Sequence, residues 1–266
     1  MRSSLLATAA VSVLLSACAG TADNHAMMAD GVANAGAHPL TIVPMGEYRT
    51  GMLDESAAEI PAFDPVSKRI FVVNGADKVI DILDMSNPSE LTKIGAMELS
   101  TWGKGANSVA IHNGIVAVAV ENADKQAAGK AVFFDTEGNF ISAVTVGALP
   151  DMIKFSPDGK YVLVANEGEP NDDFTNDPEG SVSIIPLAGG VHDLSDGDVK
   201  TVDFAFLNDG ALPYGMRTSN PGDSSVAQEI GRASCRERVG VQWGYGAGRG
   251  GRYGGDRCVR VLRVEG

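Results

Sequence analysis

The chain has 266 residues, 44% of them hydrophobic, which suits one large globular domain or two small ones. Its formal charge of −13 is uneven: Ala19 to Gln228 holds 12 Lys and Arg against 30 Asp and Glu, whereas Glu229 to Gly266 holds eight Arg against four acids. A body so acidic repels phosphate backbones, which excludes nucleic acid as a partner and leaves divalent cations or cationic surfaces open.

Residues 1–18 read as a signal peptide. Arg2 supplies the positive start, and Leu5 to Leu15 is an apolar run too short to cross a bilayer as a mature helix. It ends in Leu15-Ser16-Ala17-Cys18, which resembles the lipobox of bacterial lipoproteins, in which the cysteine is acylated and becomes the mature N-terminus. More than one acyl chain on Cys18 would hold the protein to a membrane firmly. Ala19 in place of an acidic residue points to the outer membrane, facing the periplasm or the cell surface. Residues 19–39, rich in Ala, Gly, Met and Asn without periodicity, read as a flexible tether.

Residues 40–228 carry three similar units, preceded by a possible strand before Glu47 and followed by the start of another unit near Ala211. Their first strands are Ile60 to Phe63, Ser108 to Ile111 and Met152 to Phe155. Each ends at a turn signal: Asp64-Pro65-Val66-Ser67-Lys68, His112-Asn113-Gly114 and Ser156-Pro157-Asp158-Gly159. The second strands, Ile70 to Val73, Ile115 to Val120 and Tyr161 to Ala165, are short and β-branched, as expected of strands buried on both faces. Third strands follow at Val79 to Leu83, Ala131 to Phe134 and Ser181 to Ile185, and fourth strands at Leu91 to Ile94, Phe140 to Val146 and Val199 to Phe204. Phe63, Ile111 and Phe155 stand 48 and then 44 residues apart, which fits a four-stranded propeller blade better than a sandwich. The fold class is therefore all-β, a partial β-propeller of about three antiparallel blades.

Residues 229–266 differ in kind, with ten Gly, eight Arg and no Lys. The run Glu229 to Val239 matches, at all eleven positions, the translation of a common short-read sequencing adapter. The expectation is that this tail is not native, shows no strand or helix period and, like the leader and tether, is disordered. Gly246-Ala247-Gly248-Arg249-Gly250-Gly251 spells a dinucleotide fingerprint but follows no expected strand and opens no helix, so that reading fails. Cys235 and Cys258 both lie in the tail and Cys18 in the leader, so the body has no cysteine for a disulfide framework.

Chemistry has one concentrated candidate. Between the second and third strands of the third unit lie six carboxylates, Glu167, Glu169, Asp172, Asp173, Asp177 and Glu179, where the first unit has only Gly75-Ala76-Asp77. A flexible acidic loop is the donor type that Ca²⁺ takes, although the EF-hand spacing is missing and a solvated acidic loop explains the run equally well. Blade topology places this loop on the same end as the connections holding Asn107 and Asp151, so Asn107, Asp151 and Asn166 form an expected ligand face with Glu167 and Glu169. His25, His38, His112 and His192 are not spaced as a metal pair, and no nucleophile motif appears.

These residues carry a resemblance. Gly105 to Ala110, Ala148 to Met152, Phe155 to Lys160, Val164 to Pro170 and Asp177 to Ser181 resemble the choice-of-anchor I proteins of bacteria, which are similar to mesenchyme-specific cell-surface glycoproteins. The resemblance spans about Leu40 to Gln228, and the Asn166-Glu167-Gly168-Glu169-Pro170 run is its specific part. It implies a secreted or surface-anchored propeller. Some relatives carry alkaline phosphatase or phytase-like labels, which makes a metal-dependent phosphoesterase the alternative to a non-enzymatic, calcium-dependent binding scaffold. The chain departs from the family in its N-terminal lipobox and in holding about half the expected blades.

Overall fold

The computed structural model describes residues 13–15, 41–53, 56–208 and 256–265. Three four-stranded antiparallel sheets follow one another, each a simple up-and-down meander. Blade 1 is β3 (Pro61–Asp64), β4 (Arg69–Asn74), β5 (Val79–Asp84) and β6 (Thr92–Glu98). Blade 2 is β7 (Gly105–His112), β8 (Ile115–Glu121), β9 (Ala128–Asp135) and β10 (Phe140–Ala148). Blade 3 is β11 (Pro150–Phe155), β12 (Tyr161–Asn166), β13 (Ser181–Pro186) and β14 (Lys200–Asp203). The turns are built as the sequence signals them. Asn113 and Gly114 both have positive φ, 48° and 78°, the conformation of a two-residue hairpin whose twist matches its strands.

Strand alternation sends each blade's side chains to two neighbours. Phe71, Val73, Ile80 and Ile82 of blade 1 pack on Val116, Val118, Val120, Val132 and Phe134 of blade 2. The opposite face of blade 2, with Ala117, Ala119, Ala131, Phe133 and Val144, packs on Ile153, Val162, Val164 and Ile185 of blade 3. Period-two strands buried on both sides thus stack sheet on sheet, which is the propeller arrangement.

β12 departs from the expectation of burial on both faces. Val162 and Val164 are buried, but Tyr161 and Leu163 are 44% and 40% exposed. Met152 and Val202 are exposed on the same side, so among the described residues no sheet covers the outer face of blade 3.

The remaining strands form a separate three-stranded sheet in the order β1 (Val13–Leu15), β15 (Asp256–Glu265), β2 (Thr41–Leu53). β2 includes the strand expected before Glu47, and its Met45 and Tyr48 pack on Ile70, Val72 and Leu83, the first face of blade 1. β15 falls within the tail and pairs with β1 and β2. Val259, Val261, Leu262 and Val264 are interleaved with Arg260 and Arg263, a strand-forming pattern that the tail's Gly and Arg content obscures. β1 lies within residues 1–18, the expected leader. The tether, the expected unit near Ala211 and the adapter-like run lie outside the described residues.

Candidate functional site

The β6–β7, β8–β9, β10–β11 and β12–β13 connections lie at the same end of the blades, and hydrogen bonds between blades 2 and 3 join them. The Asn107 side chain donates Nδ2 to the Pro150 carbonyl at 3.0 Å. Gln126 donates Nε2 to the Glu169 carbonyl at 3.1 Å. The backbone N–H groups of Glu167 and Gly168 reach the Leu149 and Ala148 carbonyls at 2.9 and 3.2 Å. Loops distant in sequence therefore form a single braced rim.

Its pivot is Leu149, which adopts φ 48° immediately before Pro150. A left-handed, non-glycine, pre-proline residue costs on the order of 1–2 kcal/mol. Burial of the Leu149 side chain, 4% exposed, offsets a cost of that size, and the two amides from Glu167 and Gly168 fix the corner. Gly168 has φ 64°, and a Cβ there would stand 2.5 Å from the Pro178 carbonyl oxygen, so glycine is what lets the acidic loop close on itself.

The expected ligand face divides in two. Asn107 and Asp151 are half-buried at the rim. Asn166 is fully buried, and its Nδ2 donates to Ser181 Oγ and Ser183 Oγ, both at 3.0 Å. It braces the base of the loop and offers no surface to a ligand. The reason is its place as the last residue of β12, facing blade 2, where Gly147 leaves room for it.

The six carboxylates are strung along the loop. Glu167, Glu169 and Asp177 are half-buried, whereas Asp172, Asp173 and Glu179 are exposed. Asp173 accepts from the Thr175 hydroxyl at 2.7 Å and from the Thr175 amide, which holds its pKa below the usual carboxylate range. Asn171 closes the loop tip through its backbone and its side chain, both bonded to Asn176. Among the described residues, no three His, Cys, Asp or Glu stand together in a group that could hold a metal ion.

Sequence reasoning missed Gln126 and the Leu149 corner. Gln126 sits in a loop without pattern and gave no signal. Leu149-Pro150 did carry one, because a residue before proline is restricted and marks a corner. His112 lies at the opposite end, its ring 5.5 Å from that of Phe155.

The Choice-of-anchor I domain model matches residues 59–233, about two thirds of the chain. The chain belongs to the choice-of-anchor I family. The match begins at Glu59, within the blade region, and ends at Ala233, past the expected limit at Gln228. Such a domain belongs to an exported or cell-surface β-propeller protein. No curated protein matches. Among solved structures, similarity extends to Kuenenia stuttgartiensis hydrazine synthase at 17% identity and a TM-score of 0.41, over 55% of this chain and 37% of that one. A nidogen–laminin complex chain matches at 12% identity and 0.37, over 61% and 60%. The phage phi92 endosialidase matches at 15% and 0.39, over 60% and 27%. The choice-of-anchor I chain thus spans between about a quarter and three fifths of these structures.

Proposed function

We infer that this protein is an exported, lipid-anchored binding scaffold, held to the outer membrane through Cys18 and engaging a ligand or protein partner with the braced rim. The observation that carries the reading is the cross-blade bracing of Asn107 to Pro150 and Gln126 to Glu169. It fixes several exposed loops in mutual position, which is what a preformed recognition surface requires and what solubility alone does not. The anchor is tested by Cys18→Ser. That variant should leave the membrane fraction or keep its leader uncleaved. A processed Cys18→Ser protein that still fractionates with membranes would overturn the anchor.

Calcium dependence is a separate element of the proposal and rests only on six carboxylates in thirteen residues. Such a loop concentrates cations near the rim, but it needs rearrangement to surround one. Calcium added to the intact protein should therefore bind with a Kd on the order of 10⁻³ M or weaker, as in extracellular modules. The phosphoesterase alternative requires carboxylates already gathered to hold cations that clamp a phosphate. With none gathered, the intact protein should not hydrolyse a phosphomonoester, with or without added Ca²⁺. Metal-dependent turnover abolished by Glu167→Ala would replace the scaffold reading with the enzyme.

A further inference from the structure

We propose that Asn113 is a site of spontaneous deamidation, a covalent modification that the fold directs to one end of the blade 2–blade 3 seam. Four Asx-Gly pairs fall among the described residues: Asn74-Gly75, Asn113-Gly114, Asp158-Gly159 and Asp196-Gly197. In such pairs the small glycine lets its backbone nitrogen reach the side-chain carbonyl carbon of the preceding residue. Three of the four are tied down. Asn74 is 2% exposed, donates Nδ2 to Asp77 and Asp81 at 3.1 Å each, and accepts the Asp77 amide at 3.0 Å. Asp158 is held by the Ser156 hydroxyl and the Lys160 amide, and the Ser156 bond above all keeps its pKa down at about 2. A carboxylate that stays ionised is a poor electrophile. Asp196 accepts both the amide and the hydroxyl of Thr145, at 2.6 and 2.7 Å.

Asn113 is exposed at the tip of the β7–β8 hairpin, and its side chain makes no hydrogen bond. The Gly114 amide, central in a two-residue turn, is also unengaged. Nucleophile and electrophile are both free, and a brief opening of the turn brings them together. The Gly114 nitrogen attacks Cγ of Asn113. A new C–N bond closes the five-membered imide, the Cγ–Nδ2 bond breaks, and ammonia leaves carrying the Gly114 amide proton. Solvent water then opens the imide to an aspartyl or isoaspartyl link.

The consequence is local and directional. An isoaspartyl link adds a backbone carbon to a turn whose two positive φ angles set the pairing of His112 with Ile115. It also places a new carboxylate beside His112, which stacks on Phe155 and abuts Gly159 of blade 3.

The test is to age the full-length protein in mildly alkaline buffer and follow the peptides holding Asn113 and Asn74 by mass spectrometry with isoaspartate detection. Native protein should convert Asn113 at least about tenfold faster than Asn74, because Asn74 must first break three hydrogen bonds. In concentrated urea the two rates should converge. Equal rates in the native protein, or faster loss at Asn74, would overturn the proposal. So would a native difference that persists unchanged in urea, since the flanking residues rather than the fold would then set it. Asn113→Gln should abolish the conversion at that position and serves as the assignment control.

Discussion

Phe133→Ala should lower the unfolding free energy by about 3–5 kcal/mol, the cost of removing a large ring from a packed core. Phe133 is fully buried in the cluster that joins blade 2 to blade 3, among Val144, Val162, Val164 and Ile185. The walls on both sides are hydrogen-bonded sheets, which resist collapse into the space. The contrast is Leu163→Ser on the other face of blade 3. Leu163 is 40% exposed, so its loss should cost under about 1 kcal/mol. Urea denaturation of the two variants measures both quantities. A large loss for Leu163→Ser with an unchanged m-value would show that the outer face of blade 3 is covered in the folded protein.

That contrast bears on how the fold was legible. The strands of all three blades were readable because Ile70 to Val73 and Ile115 to Val120 are β-branched runs bounded by Asp-Pro, Asn-Gly and Gly-Ala signals. The ends of the strands were less so. β6 is Thr92–Glu98, whereas the sequence suggests Leu91 to Ile94; Thr92, Lys93 and Ile94 are exposed and the strand's one buried side chain is Met97, beyond the expected end. Tyr161 to Ala165 reads like the other second strands, yet among the described residues nothing covers one of its sides. A strand's own residues record what it can bury and not whether a neighbour is there. At the rim, the clustering of loops followed from topology alone. The fate of the carboxylates did not, since the Asp173–Thr175 and Asn171–Asn176 bonds depend on how the loop tip closes. Asn166 shows the same limit. Its motif marked it as special, but whether it faces a ligand or Ser181 and Ser183 depends on strand parity at the end of β12.

The second large effect concerns a buried charge. Asp81 stands in the middle of β5, on the face turned toward β2, with its side chain 2% exposed. Lys93 of β6 brings Nζ within 2.7 Å of Oδ1, an ionic contact off the direction of a good hydrogen bond, while Asn74 donates to Oδ2 at 3.1 Å. Lys93→Met should cost about 2–4 kcal/mol, because it strands a carboxylate inside a hydrophobic sheet face. The lysine's own partial exposure keeps the figure below that of a fully buried pair. Asp81→Leu combined with Lys93→Met should recover at least half of the loss, since both members of the pair leave together. The pH dependence runs in a definite direction. Burial alone lowers the Lys93 pKa, but the close ionic contact with Asp81 outweighs it and raises the value above that of a free lysine. Tyr48 is also raised, first by burial and then by the Asp81 charge. Both groups hold their protons more tightly folded than unfolded, so their stabilising contribution is complete below the unfolded pKa values. It is lost as pH rises above about 10 and through the folded values. Wild type should therefore lose stability across that alkaline window more steeply than the double variant. Parallel curves, together with a Lys93→Met cost under about 0.5 kcal/mol, would mean that solvent already screens Asp81 and that the pair contributes little.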